Sequence, residues 1–420
     1  MLSFFITIIK IIFILGFLVL IHEGGHFLVA KLCKVKVNEF AIGFGPTVWK
    51  KQGKETKYAL RLLPLGGFVN MEGEEQRSEE KGSFSKASIL KRIAIVAAGG
   101  LVNIIFALIV YFLLMSFTGN NISNVVDTVI ADANAGKQGI LPGDEIIKIN
   151  GKKINYKNDF DVAMKESNGN QLEVVIKRDG KEELLQIKPM EEKYNYTGIA
   201  ISTNKNEVNK IAAISPKSPA EKNGLNVGDI ILKVNDIQIN NDAQKLVEEI
   251  NKNPGAVIKF TVDRNKQTVD VQITPEIKSN YYMGVYLKLA ENNFKNNIYY
   301  AFFETGNFAF SIVDNLKMLF TGNVSINQVM GPVGIGEIVA ETNGISDFVY
   351  ILASISISLG FTNLLPFPPL DGGKIVILIV ESIRRKPLKE KTELTIQMVG
   401  FMLLIGLSLL VTYNDVLRIF

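Results

Sequence analysis

Residues 2–32 read LSFFITIIKIIFILGFLVLIHEGGHFLVAKL, an apolar stretch interrupted by Lys10 and by the motif His22-Glu23-Gly24-Gly25-His26. The stretch is long enough to cross a bilayer, because a membrane helix needs about 20 residues. His22 and His26 are the only 2 histidines in the 420-residue chain. On a helix their spacing places both imidazoles on one face with Glu23 beside them, which suits two zinc ligands and a general base. The stretch therefore predicts a membrane helix that carries a zinc-dependent hydrolytic centre.

The composition is typical of a membrane protein, with 47% hydrophobic residues and a positive mean hydropathy of +0.19. Further apolar stretches that predict spans are Ile93–Phe117, Phe348–Leu365 with its continuation Ile375–Ile383, and Leu394–Val411. The first stretch also resembles a signal peptide, but its apolar run is too long and it shows no small-residue cleavage site. The net charge of +4 is too small to predict nucleic-acid binding. The single cysteine, Cys33, excludes an internal disulfide framework.

The distribution of charge predicts the orientation of the chain in the membrane. Residues 31–92 hold 13 lysines and arginines against 7 acidic residues, and residues 384–389 read RRKPLK. The long insert 118–295 holds 24 residues of each sign. Because loops rich in lysine and arginine stay in the cytoplasm, we expect both termini and the insert on the extracytoplasmic side of the inner (plasma) membrane.

The insert contains an internal repeat. Residues 140–151, ILPGDEIIKING, recur as residues 225–236, LNVGDIILKVND, and each copy is followed by a predicted helix (157–166 and 242–251) and by two alternating strands. Each copy ends with a glycine and an aliphatic residue, at Gly198-Ile199 and Gly284-Val285. The two segments resemble a tandem of PDZ domains.

Such domains bind an extended peptide at a sheet edge and hold its carboxylate on backbone N–H groups. The resemblance makes 196–201 and 282–287, with Gly198 and Gly284, candidate peptide-binding segments. The alternative is that one or both domains act only as spacers or size filters.

Two further segments have a recognisable periodicity. Residues 47–50 and 58–62 flank Gln52-Gly53 and predict a cytoplasmic hairpin, which either offers an edge to a stretched substrate or is an ordinary surface hairpin. Apolar residues follow helical spacing over 294–320 and predict an amphipathic helix that lies on the outer membrane face or packs on the bundle.

The predicted fold is a multi-span α-helical membrane protein with four transmembrane helices, a β-hairpin and two inserted α+β PDZ domains. Its predicted divisions are 1–117, 118–193, 194–290, 291–345 and 346–420.

A catalytic zinc takes three protein ligands and leaves a position open for water. Glu39 and Glu55 fall in a charged loop with no helix to carry them, whereas Asp371 follows the segment NLLPFPPL (363–370) deep in the third apolar stretch. Three prolines in this segment break the helix, which is tolerated at membrane depth where the chain lines a cavity or is covered by protein. Asp371 is therefore the predicted third ligand, and the alternative is an aspartate that caps the following helix. Asn363 either hydrogen-bonds the main chain of a substrate or hydrogen-bonds the backbone groups that the break in the helix exposes.

Together these residues resemble the site-2 protease family of zinc intramembrane metalloproteases, in particular its bacterial members of the regulator-of-sigma-E type. The resemblance covers nearly the whole chain. It is carried by 22–26, 43–46, 64–68, 97–103, the tandem repeat, 331–335 and 363–373. The chain departs from many relatives at Gly100, where they have proline.

The resemblance implies Zn²⁺ held by His22, His26 and Asp371, with Glu23 as the catalytic base. It also implies that Asn363, Pro366 and Pro368 form a substrate-contact loop. The implied substrates are single-span membrane proteins, such as anti-sigma factors already trimmed by a site-1 protease, or signal-peptide remnants. The implied surroundings are membrane lipid, with no nucleic acid.

Two other functions are compatible with parts of the sequence. The first is a non-catalytic membrane receptor or scaffold whose PDZ domains bind the ends of exported peptides. The second is a transporter that uses the broken third span as a binding site near the bilayer midplane. A transporter of that kind predicts inverted repeats between the membrane halves, and the sequence shows none.

Overall fold

A computed structural model describes residues 2–419 except 75, 120, 203–207, 322–330, 341 and 343. In the described part the helices are α1 (Leu2–Leu32), α2 (Ile89–Thr118), α3 (Asn134–Lys137), α4 (Lys157–Ser167), α5 (Pro219–Lys222), α6 (Ala243–Asn251), α7 (Phe294–Phe320), α8 (Pro332–Ala340), α9 (Ile345–Asn363), α10 (Asp371–Arg384) and α11 (Glu390–Ile419). A short 3₁₀ helix covers Phe84–Lys86.

The strands alternate with the shorter helices in the middle of the chain. They are β1 (Val37–Gln52), β2 (Lys57–Met71), β3 (Ile122–Val129), β4 (Glu145–Ile149), β5 (Lys152–Lys153), β6 (Leu172–Arg178), β7 (Lys181–Ile187), β8 (Met190–Tyr196), β9 (Ile199–Ile201), β10 (Ile211–Ile214), β11 (Ile230–Val234), β12 (Ile237–Gln238), β13 (Ile258–Arg264), β14 (Gln267–Ile273), β15 (Glu276–Tyr282) and β16 (Val285–Leu289). The chain forms two compact units.

The first unit contains the apolar helices. It comprises Met1–Leu114, Ile298–Phe320 and Val329–Phe420. Four of the helices that the structure describes are long and apolar enough to cross a membrane, namely α1, α2, α9 and α11. The sequence predicted these four apolar segments, and each one is a helix. The third segment does not continue as a single helix, because α9 ends at Asn363 and α10 starts at Asp371 after the proline-rich loop.

The cytoplasmic hairpin predicted from 47–62 is longer than the sequence indicated. Segment 39–42 of β1 lies between two segments of β2, because Phe40 is opposite both Tyr58 and Val69. Residues 47–52 pair with the other side of 57–61. Among the described residues, the segment 67–71 is therefore paired along one side and forms an edge of this sheet.

The predicted amphipathic helix is α7, with the bounds that the apolar spacing gave. Ala301 and Thr305 are buried, whereas Phe302 and Phe310 are 66% and 72% exposed. The helix therefore buries one face, which also includes Tyr300, and leaves large apolar side chains exposed. The exposed face is apolar enough for lipid, and whether the helix lies on the outer membrane face or packs on the bundle stays a prediction.

The second unit comprises Met115–Asn297 and Thr321–Gln328, and it contains the repeat. The strand order is β16-β3-β4-β6-β7 in one sheet and β12-β11-β13-β14 in another, and β9 pairs with β10. The predicted repeat helices and strand pairs are confirmed as α4, α6, β6–β7 and β13–β14. Each copy has its own apolar core, centred on Leu172 and Ile176 in the first and on Phe260 and Val262 in the second.

The pairing of strands in the two copies does not follow their order along the chain. β16 follows the second copy along the chain, yet it pairs with β3 of the first copy. β8 leads out of the first copy and pairs along its whole length with β15, which leads back. The second copy is therefore inserted between β7 and β16. The divisions 118–193 and 194–290 remain predictions, and the pairing joins 285–289 to the first sheet.

The same buried ion pair occurs in both copies. Arg178 donates two hydrogen bonds to Asp144, each 2.7 Å long, and Arg264 donates to Asp229 at 2.8 and 2.7 Å. The aspartates are only 1% and 2% exposed. Burial by itself would raise the pKa of Asp144, but the hydrogen bonds and charge of Arg178, together with a hydrogen bond from the N–H of Leu141, hold it below its ordinary value. The aspartate of each glycine-aspartate turn therefore has the same structural role in both copies.

Candidate active site

The two histidines and Asp371 meet in the first unit. Nε2 of His22 lies 3.2 Å from Nε2 of His26, and the Asp371 Oδ2 atom lies 3.3 Å and 3.4 Å from these two nitrogens. Both histidines are at most 9% exposed. The three side chains come from α1 and α10, so the site joins the first apolar helix to the helix that follows the proline-rich loop.

Close packing of α2 against α1 orients the imidazoles. A methyl group at Gly99 would come within 2.3 Å of Nε2 of His26 and 2.8 Å of Cε1 of His22, so only glycine leaves room for both rings. The Nδ1 atom of His26 lies 2.8 Å from the carbonyl oxygen of Ile95. Because a carbonyl only accepts, Nδ1 carries the proton and Nε2 keeps its lone pair for a metal.

The proline-rich loop folds back on the start of α10 and places Asp371. A side chain at Gly372 would collide with the carbonyl oxygens of Leu364 and Leu365 at 2.3 and 2.2 Å. On the opposite side, a methyl group at Gly400 of α11 would lie 1.9 Å from the carbonyl oxygen of Pro368. The loop therefore has little freedom, and Asp371 is held as the first residue of α10.

The three donor atoms fit a tetrahedral zinc ion. An ion bound about 2.0–2.1 Å from each of three tetrahedral ligands separates those ligands by about 3.3 Å, and the separations here are 3.2, 3.3 and 3.4 Å. Within the described part of the chain, Oδ2 of Asp371 is buried and accepts no hydrogen bond. A buried carboxylate oxygen of this kind is costly unless an ion binds it. Two imidazoles and one carboxylate are also a ligand set that catalytic zinc uses.

Glu23 lies on α1 beside the two histidines and faces the edge of the hairpin sheet. It is half-buried, and its Cγ atom is 3.2 Å from the position that a Cβ atom at Gly67 would take. Gly67 opens the edge segment 67–71 of β2. The carboxylate that neighbours the histidines in sequence therefore also neighbours the sheet edge on which an extended peptide would add.

The predicted substrate-contact residues fall in two places. Asn363 is the last residue of α9, and Pro366 and Pro368 follow in the loop that ends at Asp371. Gly198 and Gly284 lie in the second unit, directly before β9 and β16, and both have a φ of +84°. Their predicted roles in binding a substrate stay predictions.

Several residues that shape the site were not singled out by the sequence. The sequence marked Gly99 only as part of the segment 97–103, whereas the structure places it directly against both imidazole rings. Gly400 gave no signal, because a glycine in an apolar helix is common in membrane proteins. Glu74 and Lys374 form an ion pair beside the site, and only the position of Lys374 one turn after Asp371 hinted at a connection.

Comparison with known proteins relates the whole chain to membrane proteases. The family described as Peptidase family M50 matches residues 10–407. The regulator of sigma E protease of Haemophilus influenzae is 29% identical over 99% of this chain and 100% of that protein. A Vibrio cholerae protein whose name describes a zinc metalloprotease is 30% identical over 98% of each chain. The regulator of sigma-E protease RseP of Escherichia coli is 29% identical over the full length of both.

Proposed function

The chain belongs to peptidase family M50 and is a zinc metalloendopeptidase of the site-2 type, and we propose that His22, His26 and Asp371 hold its zinc ion. The observation that carries this assignment is the triangle of donor atoms with sides of 3.2–3.4 Å. It joins two residues of α1 to the first residue of α10. In a multi-pass protein of the inner membrane, this arrangement supports hydrolysis inside the membrane region.

Glu23 is the proposed general base. When bound, zinc supplies a Lewis acid and makes a water molecule nucleophilic at neutral pH. The Glu23 carboxylate takes the proton of that water as the water oxygen bonds to the peptide carbon, and it gives the proton to the amine nitrogen as the C–N bond breaks. The proton therefore ends on the leaving amine. Glu23 is restored for the next cycle.

The edge segment 67–71 is the proposed site where the substrate is held extended. A helical substrate shields its carbonyl groups in hydrogen bonds to the fourth residue along the chain, so the bond to be cut must first unwind. Pairing with a sheet edge supplies replacement hydrogen bonds for the unwound main chain. Gly67 lies against Glu23, which supports cleavage at this edge. Asn363, Pro366 and Pro368 would contact the extended segment from the loop before Asp371.

The proposed substrates are single-span membrane proteins. Two of the relatives above are named regulators of sigma-E, which supports a trimmed anti-sigma factor as the substrate and a site-1 protease as the preceding enzyme. Remnants of signal peptides are the other candidate class. The charge asymmetry supports a topology in which both termini and the second unit lie outside the cytoplasm.

The two copies in the second unit are proposed to be PDZ domains that control access by size. Gly198 and Gly284 would line their peptide-binding edges, because each precedes a short strand at a sheet margin. Deletion of residues 118–290 is expected to widen the range of spans that are cut, as measured with substrates that differ in the length of their outer segment. If cleavage instead stops for every substrate, the unit is needed for catalysis or folding and does not act as a filter.

Variants of the proposed ligands and base test the assignment. Glu23→Gln should keep stoichiometric zinc and lose cleavage of a single-span reporter, because it removes only the proton acceptor. Asp371→Ala should lose zinc and cleavage together. Zinc content is measured by inductively coupled plasma mass spectrometry on the purified full chain. An Asp371→Ala protein with full zinc and full activity would place the third ligand elsewhere.

The natural substrate can be found with the same inactive variant. Membrane peptides that accumulate uncut in cells carrying Glu23→Gln, and disappear when the parent chain is restored, are the proposed substrates. Mass spectrometry of the membrane fraction identifies them. The absence of any such peptide would contradict a protease function and favour a receptor or scaffold.

A further inference from the structure

Lys374 lies one helical turn after the proposed zinc ligand Asp371. Its ammonium nitrogen is 2.6 Å from Oε1 of Glu74 and 5.1 Å from the centre of the Phe84 ring. The side chains of Lys374 and Glu74 are each 21% exposed, so most of this pair is shielded from water. A shielded pair of opposite charges interacts more strongly than one on the surface.

The spacing along α10 gives Lys374 a second carboxylate within reach. Residues three apart on a helix are neighbours, with about 5–6 Å between their Cβ atoms, and an aspartate followed by a lysine at this spacing attract each other. Asp371 and Lys374 have this spacing and both belong to α10. Without another partner, the ammonium group would turn towards Asp371. An ammonium bound there would compete with a metal ion for the carboxylate.

We propose that Glu74 is a positioning residue that holds the Lys374 ammonium away from Asp371 and so keeps that carboxylate available to zinc. The inference rests on the proposed role of Asp371 as a ligand. It assigns Glu74 a function that a simple structural ion pair does not have. Glu74 acts on the site through Lys374 and touches neither the substrate nor the metal.

The backbone around Glu74 is fixed well enough for this role. The N–H of Glu74 donates to the carbonyl of Met71 at 3.2 Å, directly after the edge segment of β2. The N–H of Glu72 donates to Lys36 at 3.0 Å, and the N–H of Phe84 donates to Glu72 at 2.7 Å. Phe84 is 3% exposed and packs below the ammonium group. The Glu74 carboxylate is thus presented from a folded loop against α10.

A double-mutant comparison of zinc affinity distinguishes this role from a structural one. The parent is the full chain with Glu23→Gln, which prevents self-cleavage, and affinity is measured by competition with a chelating dye. Glu74→Gln should weaken zinc binding about tenfold, since partners of metal ligands typically matter by 10–100-fold. Lys374→Met should bind zinc like the parent. Adding Lys374→Met to Glu74→Gln should restore the parental affinity, because the competing ammonium is gone.

A structural ion pair gives a different pattern. If the pair only braces α10, Lys374→Met weakens zinc binding as much as Glu74→Gln does, and the double variant is no better than either. That result would overturn the proposal, and so would parental affinity in Glu74→Gln. If a single variant does not fold, the double variant decides alone. Parental affinity supports the proposal, and a tenfold loss refutes it.

Two controls separate this proposal from the assignment of the zinc ligands. Lys36→Met breaks the ion pair with Glu80 in the same loop, which is 3.0 Å long and does not involve α10. It should leave zinc affinity unchanged. Asp371→Ala should lose zinc whether or not Glu74 has a role. Retained affinity in Asp371→Ala would refute the ligand set, whereas its loss together with parental affinity in Glu74→Gln would refute only the role of Glu74.

Discussion

The substitution Gly99→Ala should remove zinc from the site without changing any proposed ligand. A methyl group at this position would lie 2.3 Å from Nε2 of His26 and 2.7 Å from its Cε1 atom, whereas ordinary contacts begin at 3.4 Å. The ring must therefore shift by about 1 Å, or α2 must move away from α1 by a similar distance. Either movement separates donor atoms that now lie 3.2–3.4 Å apart.

The expected loss of affinity follows from the tolerance of zinc coordination. Metal–ligand distances vary by about 0.2 Å around their preferred values, so a shift of about 1 Å is roughly five times what the ion accepts. We expect zinc binding to weaken by at least about 100-fold, which corresponds to about 2.7 kcal/mol. Helix formation itself should not suffer, because alanine is favoured over glycine in a helix by about 1 kcal/mol.

The assay compares Gly99→Ala with Gly24→Ala in the purified full chain. Gly24 lies within the histidine motif, and a methyl group there meets nothing within 4 Å in the described structure. Zinc affinity is measured by chelator competition, cleavage by a single-span reporter, and folding by thermal unfolding in detergent. Gly24→Ala should behave like the parent. A Gly99→Ala protein that binds zinc with parental affinity would show that α1 and α2 do not pack as described, and the reasoning would fail.

The other predictions concern the loop and the repeat. Gly400→Ala should lower the rate of cleavage at least about tenfold, because the new methyl group would displace the carbonyl of Pro368 and misplace the loop. Gly406→Ala in the same helix, where a methyl group meets nothing within 4 Å, is the control, and equal rates for the two variants would contradict the prediction. Arg178→Ala should lower the free energy of unfolding by about 3 kcal/mol, since it leaves a buried carboxylate unpaired. Because the pKa of Asp144 is lowered in the folded chain, its stabilisation is present above the unfolded pKa of about 3.9 and is lost as pH falls further. Thermal unfolding at several pH values should show a steeper loss of stability on acidification in the parent than in Arg178→Ala.

Local pattern was sufficient for the parts of the protein in which neighbours in sequence are neighbours in space. The spacing of His22 and His26 places two donor atoms on one helix face, and the structure has that face on α1. Apolar runs gave the four candidate spans, and alternation gave the paired strands of the repeat. Asp371 was found for another reason, because an ionisable residue beside a proline-broken apolar segment has few uses other than binding.

The positions of partners that are distant in the chain depended on the tertiary structure. No periodicity in the sequence predicts that β16 pairs with β3, because both have the ordinary alternation of a strand. The order along the chain alone would group β16 with the second copy. Gly99 and Gly400 matter only because another helix or loop approaches within the space of one methyl group. Glu74 gains a role only because folding brings it to Lys374.

The sequence by itself therefore determined the chemistry, the number of apolar helices and the repeated module, because each depends on the spacing of residues within one segment. The tertiary structure decided how three donor atoms come together, which edge neighbours Glu23 and how the second copy is inserted into the first. The physical reason is that these features depend on steric fit and charge pairing between separate segments. Such contacts leave no period in the sequence and exist only when the chain is folded.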